Sequence, residues 1–332
     1  MKAKIKPRID LENRTKLETV IPLEVPFVIF VDPSDVCNFH CKFCPTGDIP
    51  LMKKVGRSLK AMDFDLYKKV IDDICQFEKP IKVLRLYKDG EPLLNPRLAD
   101  MIKYAKDRGC AEKIDTTTNA SLLTPEKSLA IIEAGLDRIN ISIEGVSAEQ
   151  YLDFSDYKID FDKLVENIRY FYEHKKNCEI IVKIPGDGLS AEDRDKFYQI
   201  FGDIADGVFV EHVMSCWSGF ELKDLEVNQD VGIYGQPIKE VLVCPYVFYS
   251  FSINSDGSAS LCFLDWARKL IIGDVAKQSV KEIWQGEKLR EYQKMFLRKE
   301  RKDHPICGQC GQLTHAMPDD IDEHAEDILK KY

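Results

Sequence analysis

The sequence predicts an α/β chain in which parallel strands alternate with helices, close into a partial barrel, and lead into a smaller irregular module. Three observations carry this expectation. Six short apolar runs between Val25 and Val213 are separated by amphipathic stretches of helical period, the alternation that builds a parallel sheet with helices outside it. Polar residues recur on one face of a strand, which suits a barrel lumen better than a flat doubly wound sheet. After about residue 214 the alternation stops, and Gly, Pro and Cys punctuate the chain.

Taken in order, the strands are read at 25–32, 81–87, 112–118, 136–144, 179–184 and 207–213. Helical patterns fall at 63–75, 95–108, 125–134, 161–174 and 190–202. The third helix has a clean start, with Thr124 as N-cap, Pro125 at the first helical position and Glu126 in the first turn. Within 136–144, Ile139, Ile141 and Ile143 share one face while Asn140, Ser142 and Glu144 share the other. The second face turns toward the lumen near the strand's C-terminal end, where parallel barrels carry their active sites. Residues 248–263 read as a hairpin turning at Asp256-Gly257, a helical pattern covers roughly 279–299, and a cysteine pair follows. The expected organisation is therefore an N-terminal extension (1–24), a barrel (25–214) and a C-terminal module (215–332).

Composition narrows the function. With 47 basic and 56 acidic residues the net charge is −9, against nucleic-acid binding driven by phosphate neutralisation. No segment approaches the ~20 apolar residues of a membrane span, and the polar N-terminus lacks the apolar core of a signal peptide. A cytoplasmic location follows as the expectation. That compartment keeps thiols reduced, so eleven cysteines point to metal ligands rather than disulfides.

Cys37, Cys41 and Cys44 have the spacing C-x3-C-x2-C directly after the first strand. Three thiolates on one loop hold three corners of a cubane cluster and leave one iron open, as catalysis requires; structural sites are closed. Zinc would need a fourth ligand, and His40 is too close in sequence for easy tetrahedral closure. Here the chain resembles the radical S-adenosylmethionine enzymes, whose C-x3-C-x-aromatic-C motif follows strand one of a partial (β/α)6, TIM-like barrel; Phe43 fills the aromatic position. The resemblance implies a [4Fe-4S] cluster on the three cysteines and S-adenosyl-L-methionine chelated to its fourth iron. It also implies cleavage of that cofactor to a 5′-deoxyadenosyl radical.

Further motifs follow in the family's order. Residues 86–96 resemble its Gly-Gly-Glu-Pro element, with Asp89 at the first glycine and Gly90, Glu91 and Pro92 retained. Residues 116–123 resemble its Thr-Asn-Gly turn, with Thr118 and Asn119 retained and Ala120 at the glycine. Ser142 and Glu144 match its strand-four Ser-x-Asp-Gly, which holds the ribose and methionine moieties. Many members pair the cofactor's carboxylate with an arginine about a dozen residues after that serine. Here that place holds Phe154 or Ser155.

Cys244, Cys262, Cys307 and Cys310 supply four more thiolates, enough for a second cluster; a zinc ribbon has the same ligand count. Residues 271–292, leading into the last pair, resemble the SPASM/twitch extension of these enzymes. No cysteine follows Cys310, which matches the shortened twitch form with one auxiliary [4Fe-4S] cluster, as in aminocyclitol dehydrogenases and other sugar-modifying members. Cys75, Cys110 and Cys178 read as core or half-buried thiols.

Candidates for catalysis or substrate contact are Tyr87, Lys183, Glu211, His212 and Cys216, with Arg85 also interrupting a strand. Alternation lets only one of Glu211 and His212 face the lumen, and Trp217 either lines the barrel mouth or packs between the modules, with packing favoured. The favoured reaction is dehydrogenation of a sugar- or aminocyclitol-type alcohol, with an external one-electron reductant of flavodoxin or ferredoxin type. Alternatives are epimerisation, with Cys216 returning a hydrogen atom, and maturation of a peptide. Only 36 residues precede Cys37, fewer than a leader-binding domain needs. A non-enzymatic electron carrier or zinc-structured interaction module leaves the Glu91, Asn119 and Ser142 motifs unexplained.

Overall fold

A computed structural model describes residues 1–222, 225, 230–316 and 319–332. Its barrel strands are β2 (Val28–Val31), β3 (Ile81–Arg85), β4 (Ala111–Thr118), β5 (Arg138–Ser142), β6 (Glu179–Pro185) and β7 (Gly207–Glu211). Each pairs in parallel with the next. Five of the connections carry the expected helices: Phe64–Ile74, Leu98–Arg108, Pro125–Ala134, Phe161–His174 and Ala191–Phe201. Side chains of Asp63, Thr124, Asp160 and Ser190 accept backbone N–H groups at four of their starts, and left-handed Gly109 and Gly135 end two of them. The alternating apolar face of β5 is wholly interior, with Ile139, Ile141 and the following Ile143 inaccessible to solvent. Parallel pairing brings the loops after all six strands to one rim.

Three features extend this plan. Within the N-terminal segment, β1 (Lys4–Ile5) adds to β7 in parallel at the edge of the sheet. The hairpin is present as β8 (Ser250–Ile253) and β9 (Ser258–Ser260), continued by β10 (Ile271–Asp274), and Gly257 takes the φ of +88° its turn needs. However, β8 also pairs in parallel with β2, so the C-terminal module continues the barrel sheet. The result is one open sheet in the order β1-β7-β6-β5-β4-β3-β2-β8-β9-β10. The helical pattern at 279–299 is two helices, Val280–Trp284 and Glu287–Leu297, broken at Gly286. No helix among the described residues is long and apolar enough to cross a membrane.

A buried charge cluster joins the two parts. Arg57 donates from Nε to Asp35 at 2.7 Å, and Arg268 of the C-terminal module reaches Asp35 at 2.8 Å and Asp89 at 3.0 Å. Lys88 donates to Asp89 at 2.6 Å. The oxygens of Asp32, Asp35 and Asp89 converge within 4.8 Å, and these three cations answer them. Asp89, which departs from the family's glycine, is thus a structural anchor. Arg268→Ala should leave buried carboxylates unpaired and destabilise the protein by about 3 kcal/mol, read from the denaturant midpoint.

Candidate active site

The loop after β2 is fastened by backbone hydrogen bonds and aromatic packing. His40 and Lys42 donate backbone N–H groups to Ser155 and Phe154 carbonyls at 2.8 and 3.1 Å, at the end of the helix Ala148–Ser155. The Phe43 ring packs on Phe154 at 5.5 Å, and Phe39 is sunk against Tyr157 at 4.6 Å. Residues 154 and 155 therefore support the cysteine loop. His40 is exposed, its Nδ1 against the Gly47 carbonyl, consistent with its exclusion as a ligand. Burial pushes the Cys37, Cys41 and Cys44 thiols up, and neighbouring thiolates and Glu144 add to the shift at Cys41. Ionised together, such thiols need a cationic centre, which is what an iron cluster provides.

The motif residues surround this loop. Gly90 lies so close to the loop that a Cβ would sit 2.2 Å from the Ser34 carbonyl oxygen and 2.3 Å from that of Val36. Glu91 is buried and fully engaged: Oε1 accepts from Leu93 N at 2.9 Å and Thr118 Oγ1 at 2.6 Å, Oε2 from Asn119 N at 2.8 Å. Asn119 in turn points its Nδ2 at Cys37 Sγ, 3.9 Å away. Ala120 holds φ +56°, the left-handed conformation that suits the family's glycine. Ser142 ends β5, and beyond it Glu144 is buried with Oε2 lacking any hydrogen-bond partner among the described residues. Burial pushes its carboxyl up to about 7. An orphaned acid beside the cysteines fits a site built for a polar cofactor. Glu91→Gln should keep iron but weaken S-adenosylmethionine binding roughly tenfold, measured by anaerobic calorimetry. Lost iron with normal affinity would contradict that.

Cys244, Cys262, Cys307 and Cys310 gather in the C-terminal module, their thiols pushed up first by burial and then, at the first three, by one another. Arg301 donates to the Cys307 carbonyl at 3.0 Å and offsets part of this at Cys307 and Cys310. Among the described residues, no three cysteine sulfurs converge within the 4.8 Å that the aspartate group satisfies.

Neighbours of both cysteine sets, Phe43 beside the first and Phe263 beside the second, line a cavity of about 480 Å³. Phe43 lines it from the first set; Cys216 also lines it, and its carbonyl accepts from Cys310 Sγ at 3.8 Å. All five candidates, Tyr87, Lys183, Glu211, His212 and Cys216, face this space. One expectation is corrected. Glu211 and His212 both line the cavity, because β7 ends at Glu211 and strand alternation no longer governs His212. Trp217 lines it too, and Trp266 donates from Nε1 to the Ser218 carbonyl at 3.0 Å within the C-terminal module. Lys183 donates to Glu211 Oε2 at 2.6 Å. Burial alone would raise Glu211, but Lys183 and Arg8 outweigh it and hold the carboxyl below its usual value. Its Oε1 has no hydrogen-bond partner among the described residues. His212 is oriented by Asp187, Nδ1 to Oδ1 at 3.3 Å.

Sequence reasoning missed Arg8, Arg14, Tyr234 and Asp319, which also line the cavity. Arg14 forms a forked pair with Asp319, closing the N-terminal segment on the C-terminal one. Neither arginine sits in a local motif. Only the pairing of β1 with β7 brings them here. Cys75 is half-buried, and Cys110 and Cys178 are buried.

Comparison with known proteins agrees with this geometry. A methanogen protein, the AdoMet-dependent heme synthase of Methanosarcina barkeri, is 24% identical over 317 residues, 83% of this chain and 84% of its own length. The tungsten-containing aldehyde ferredoxin oxidoreductase cofactor-modifying protein of Pyrococcus furiosus is 29% identical over 123 residues, 37% of this chain and 32% of its own. Among solved structures, BtrN in complex with AdoMet and 2-DOIA superposes with a TM-score of 0.59 at 17% identity, covering 90% of this chain and 98% of BtrN. Streptococcus suis SuiB bound to its precursor peptide SuiA gives 0.60 at 13%, covering 90% and 72%. Both likenesses speak to the fold alone. Residues 31–199 match the radical SAM superfamily and residues 244–311 the SPASM iron-sulfur cluster-binding domain. The chain belongs to the radical SAM superfamily and carries a C-terminal SPASM iron-sulfur domain.

Proposed function

We propose that this enzyme oxidises an alcohol carbon of a small polar metabolite of the sugar or cyclitol class. The observation that carries the reading is a cavity lying between the two cysteine sets, with Phe43 of the first loop on one wall and Cys216, whose carbonyl accepts from Cys310 Sγ of the second set, on another. Its volume of about 480 Å³ suits a metabolite. Cys37, Cys41 and Cys44 would hold one four-iron cluster, and Cys244, Cys262, Cys307 and Cys310 a second. Phe43, the 90–92 turn, Thr118, Asn119, Ser142 and Glu144 would frame S-adenosylmethionine. When bound, these groups supply a 5′-deoxyadenosyl radical that takes a hydrogen atom from carbon and an acceptor for the electron the substrate then gives up.

The chain's own residues account for the proton. Glu211, ionised beside Lys183 and with Oε1 uncommitted, accepts the substrate's hydroxyl hydrogen. His212, fixed by Asp187, hydrogen-bonds a second hydroxyl. Aromatic rings of Phe30, Tyr246, Tyr249 and Phe263 keep water from the reacting carbon. A hydrogen atom, a proton and an electron leave the substrate, so the product is a ketone two mass units lighter. A flavodoxin- or ferredoxin-type donor, in the cytoplasm, would supply the first electron.

Epimerisation is the second reading, favoured by one fact: burial pushes the Cys216 thiol up, so it holds a hydrogen atom at the cavity wall. Cys216→Ala in deuterated buffer separates the two. Oxidation predicts continued turnover to the lighter product. Epimerisation predicts 5′-deoxyadenosine without inverted product, and in the unaltered enzyme an inverted carbon bearing solvent deuterium.

A further inference from the structure

We propose that the substrate carries an anionic oxygen group, a carboxylate or a phosphate, held by Arg8 and Arg85 on either side of Tyr87. The proposal rests on reading this cavity as the substrate site, and it narrows the substrate to an acid-bearing polyol.

Arg85 projects from β3 into the lumen and donates from Nη1 to the Tyr87 hydroxyl at 2.7 Å. Arg8 arrives from the opposite direction, just after β1, and donates from Nη1 to the same oxygen at 3.4 Å. Two guanidinium groups thus converge on one neutral acceptor. Carboxylates stand back from both: Asp115 is 3.8 Å from Arg85 Nε, and Glu211 is 3.8 Å from Arg8 Nε. Glu211 spends its short contact on Lys183 at 2.6 Å. As a result the Nε–H groups of Arg8 and Arg85 are both buried without a hydrogen-bond partner among the described residues.

Buried cationic donors left unmatched are costly, and each specific case asks for an explanation. A ligand that brings its own anionic oxygens supplies one. The guanidinium fork pairs two N–H groups with the two oxygens of a carboxylate or phosphate, with geometry that a hydroxyl cannot reproduce. The wider lining agrees. Six arginines and lysines line the cavity; with Asp89 behind Lys88 and Asp115 behind Arg85 counted beside Glu211 and Asp319, they exceed the carboxylates by two charges among the described residues. An amine-bearing cyclitol would enter against that excess. An acid would enter with it, its carbon skeleton against Phe30 and Tyr234. Arg14 is already committed to Asp319 and Lys88 to Asp89, which leaves Arg8 and Arg85 as the pair with capacity to spare.

The test is anaerobic calorimetry on the iron-loaded, S-adenosylmethionine-bound protein with four matched probes: glucose, glucosamine, glucuronate and glucose 6-phosphate. Glucuronate or glucose 6-phosphate should bind at least tenfold more tightly than the other two, and whichever acid binds tighter identifies the group. Arg8→Gln and Arg85→Gln should each erase that preference. Arg8→Lys, which keeps the charge and loses the fork, should restore part of it. Iron content and circular dichroism check that each variant is folded. Acetate and inorganic phosphate are titrated alone; if no hexose binds, saturable binding lost in Arg8→Gln still supports the pair. Overturning results are glucosamine binding as tightly as the acids, acid affinity unchanged in both glutamine variants, or no anion binding at all. An acid that binds through Arg8 and Arg85 yet never yields a lighter product would instead overturn the oxidation reading and leave the anion site standing.

Discussion

Replacing Cys37, Cys41 and Cys44 together with alanine should abolish formation of 5′-deoxyadenosine and lower the iron of anaerobically loaded protein from about eight to about four per chain. The loss of activity is expected to be total because these three residues share one loop, and Cys216, the free thiol after β7 at the same rim, cannot replace three ligands. Retention of half the iron follows from the position of the second set. Cys244, Cys262, Cys307 and Cys310 lie in the C-terminal module, fixed by Arg301 and by the packing of Phe251 on Trp284, 5.8 Å between ring centroids. The converse substitution of those four should also leave about four irons, with S-adenosylmethionine cleavage retained and the lighter product lost. Stoichiometric zinc, without the absorption of an iron-sulfur cluster, would contradict both expectations.

Glu211→Gln should reduce product formation at least a hundredfold while 5′-deoxyadenosine still forms, the usual scale for loss of a positioned general base. The two readouts part because Glu211 meets the substrate hydroxyl and not the cysteine loops. The pH dependence has a definite sign. Lys183 and Arg8 hold the Glu211 carboxyl below its usual value, so the base is charged throughout the neutral range. Turnover should therefore not fall between pH 8 and pH 6 through this group. A turnover that falls across that range through Glu211 would contradict its role as the base, which Glu211→Gln would check by removing the dependence.

Much of this was legible in the residues themselves. The six barrel strands follow from apolar runs whose partners are also strands, and the helices from caps such as Thr124-Pro125 that act within one turn. The first cysteine set was legible as a candidate because its spacing is local, whereas Cys244, Cys262, Cys307 and Cys310 are scattered and were read through resemblance. What escaped is what depends on distant pairing. β1 is only two residues long, too short to show a period, yet it delivers Arg8 to the cavity. The union of β8 with β2 joins positions more than 200 residues apart, with nothing in either strand to announce it. Glu91 shows a related limit. Its motif suggested contact with a cofactor, and the fold adds that its carboxylate already ties the Thr118-Asn119 turn to the loop before it. Asp89 stands where the family has glycine because a buried cluster with Arg57, Lys88 and Arg268 occupies that place.

The most direct test of the oxidation reading is the mass of the product formed from an acid-bearing polyol under anaerobic, single-turnover conditions. The account predicts a species two mass units lighter than substrate, formed one for one with 5′-deoxyadenosine and free of solvent deuterium. A product of unchanged mass in ordinary water that gains one deuterium in heavy water would contradict it.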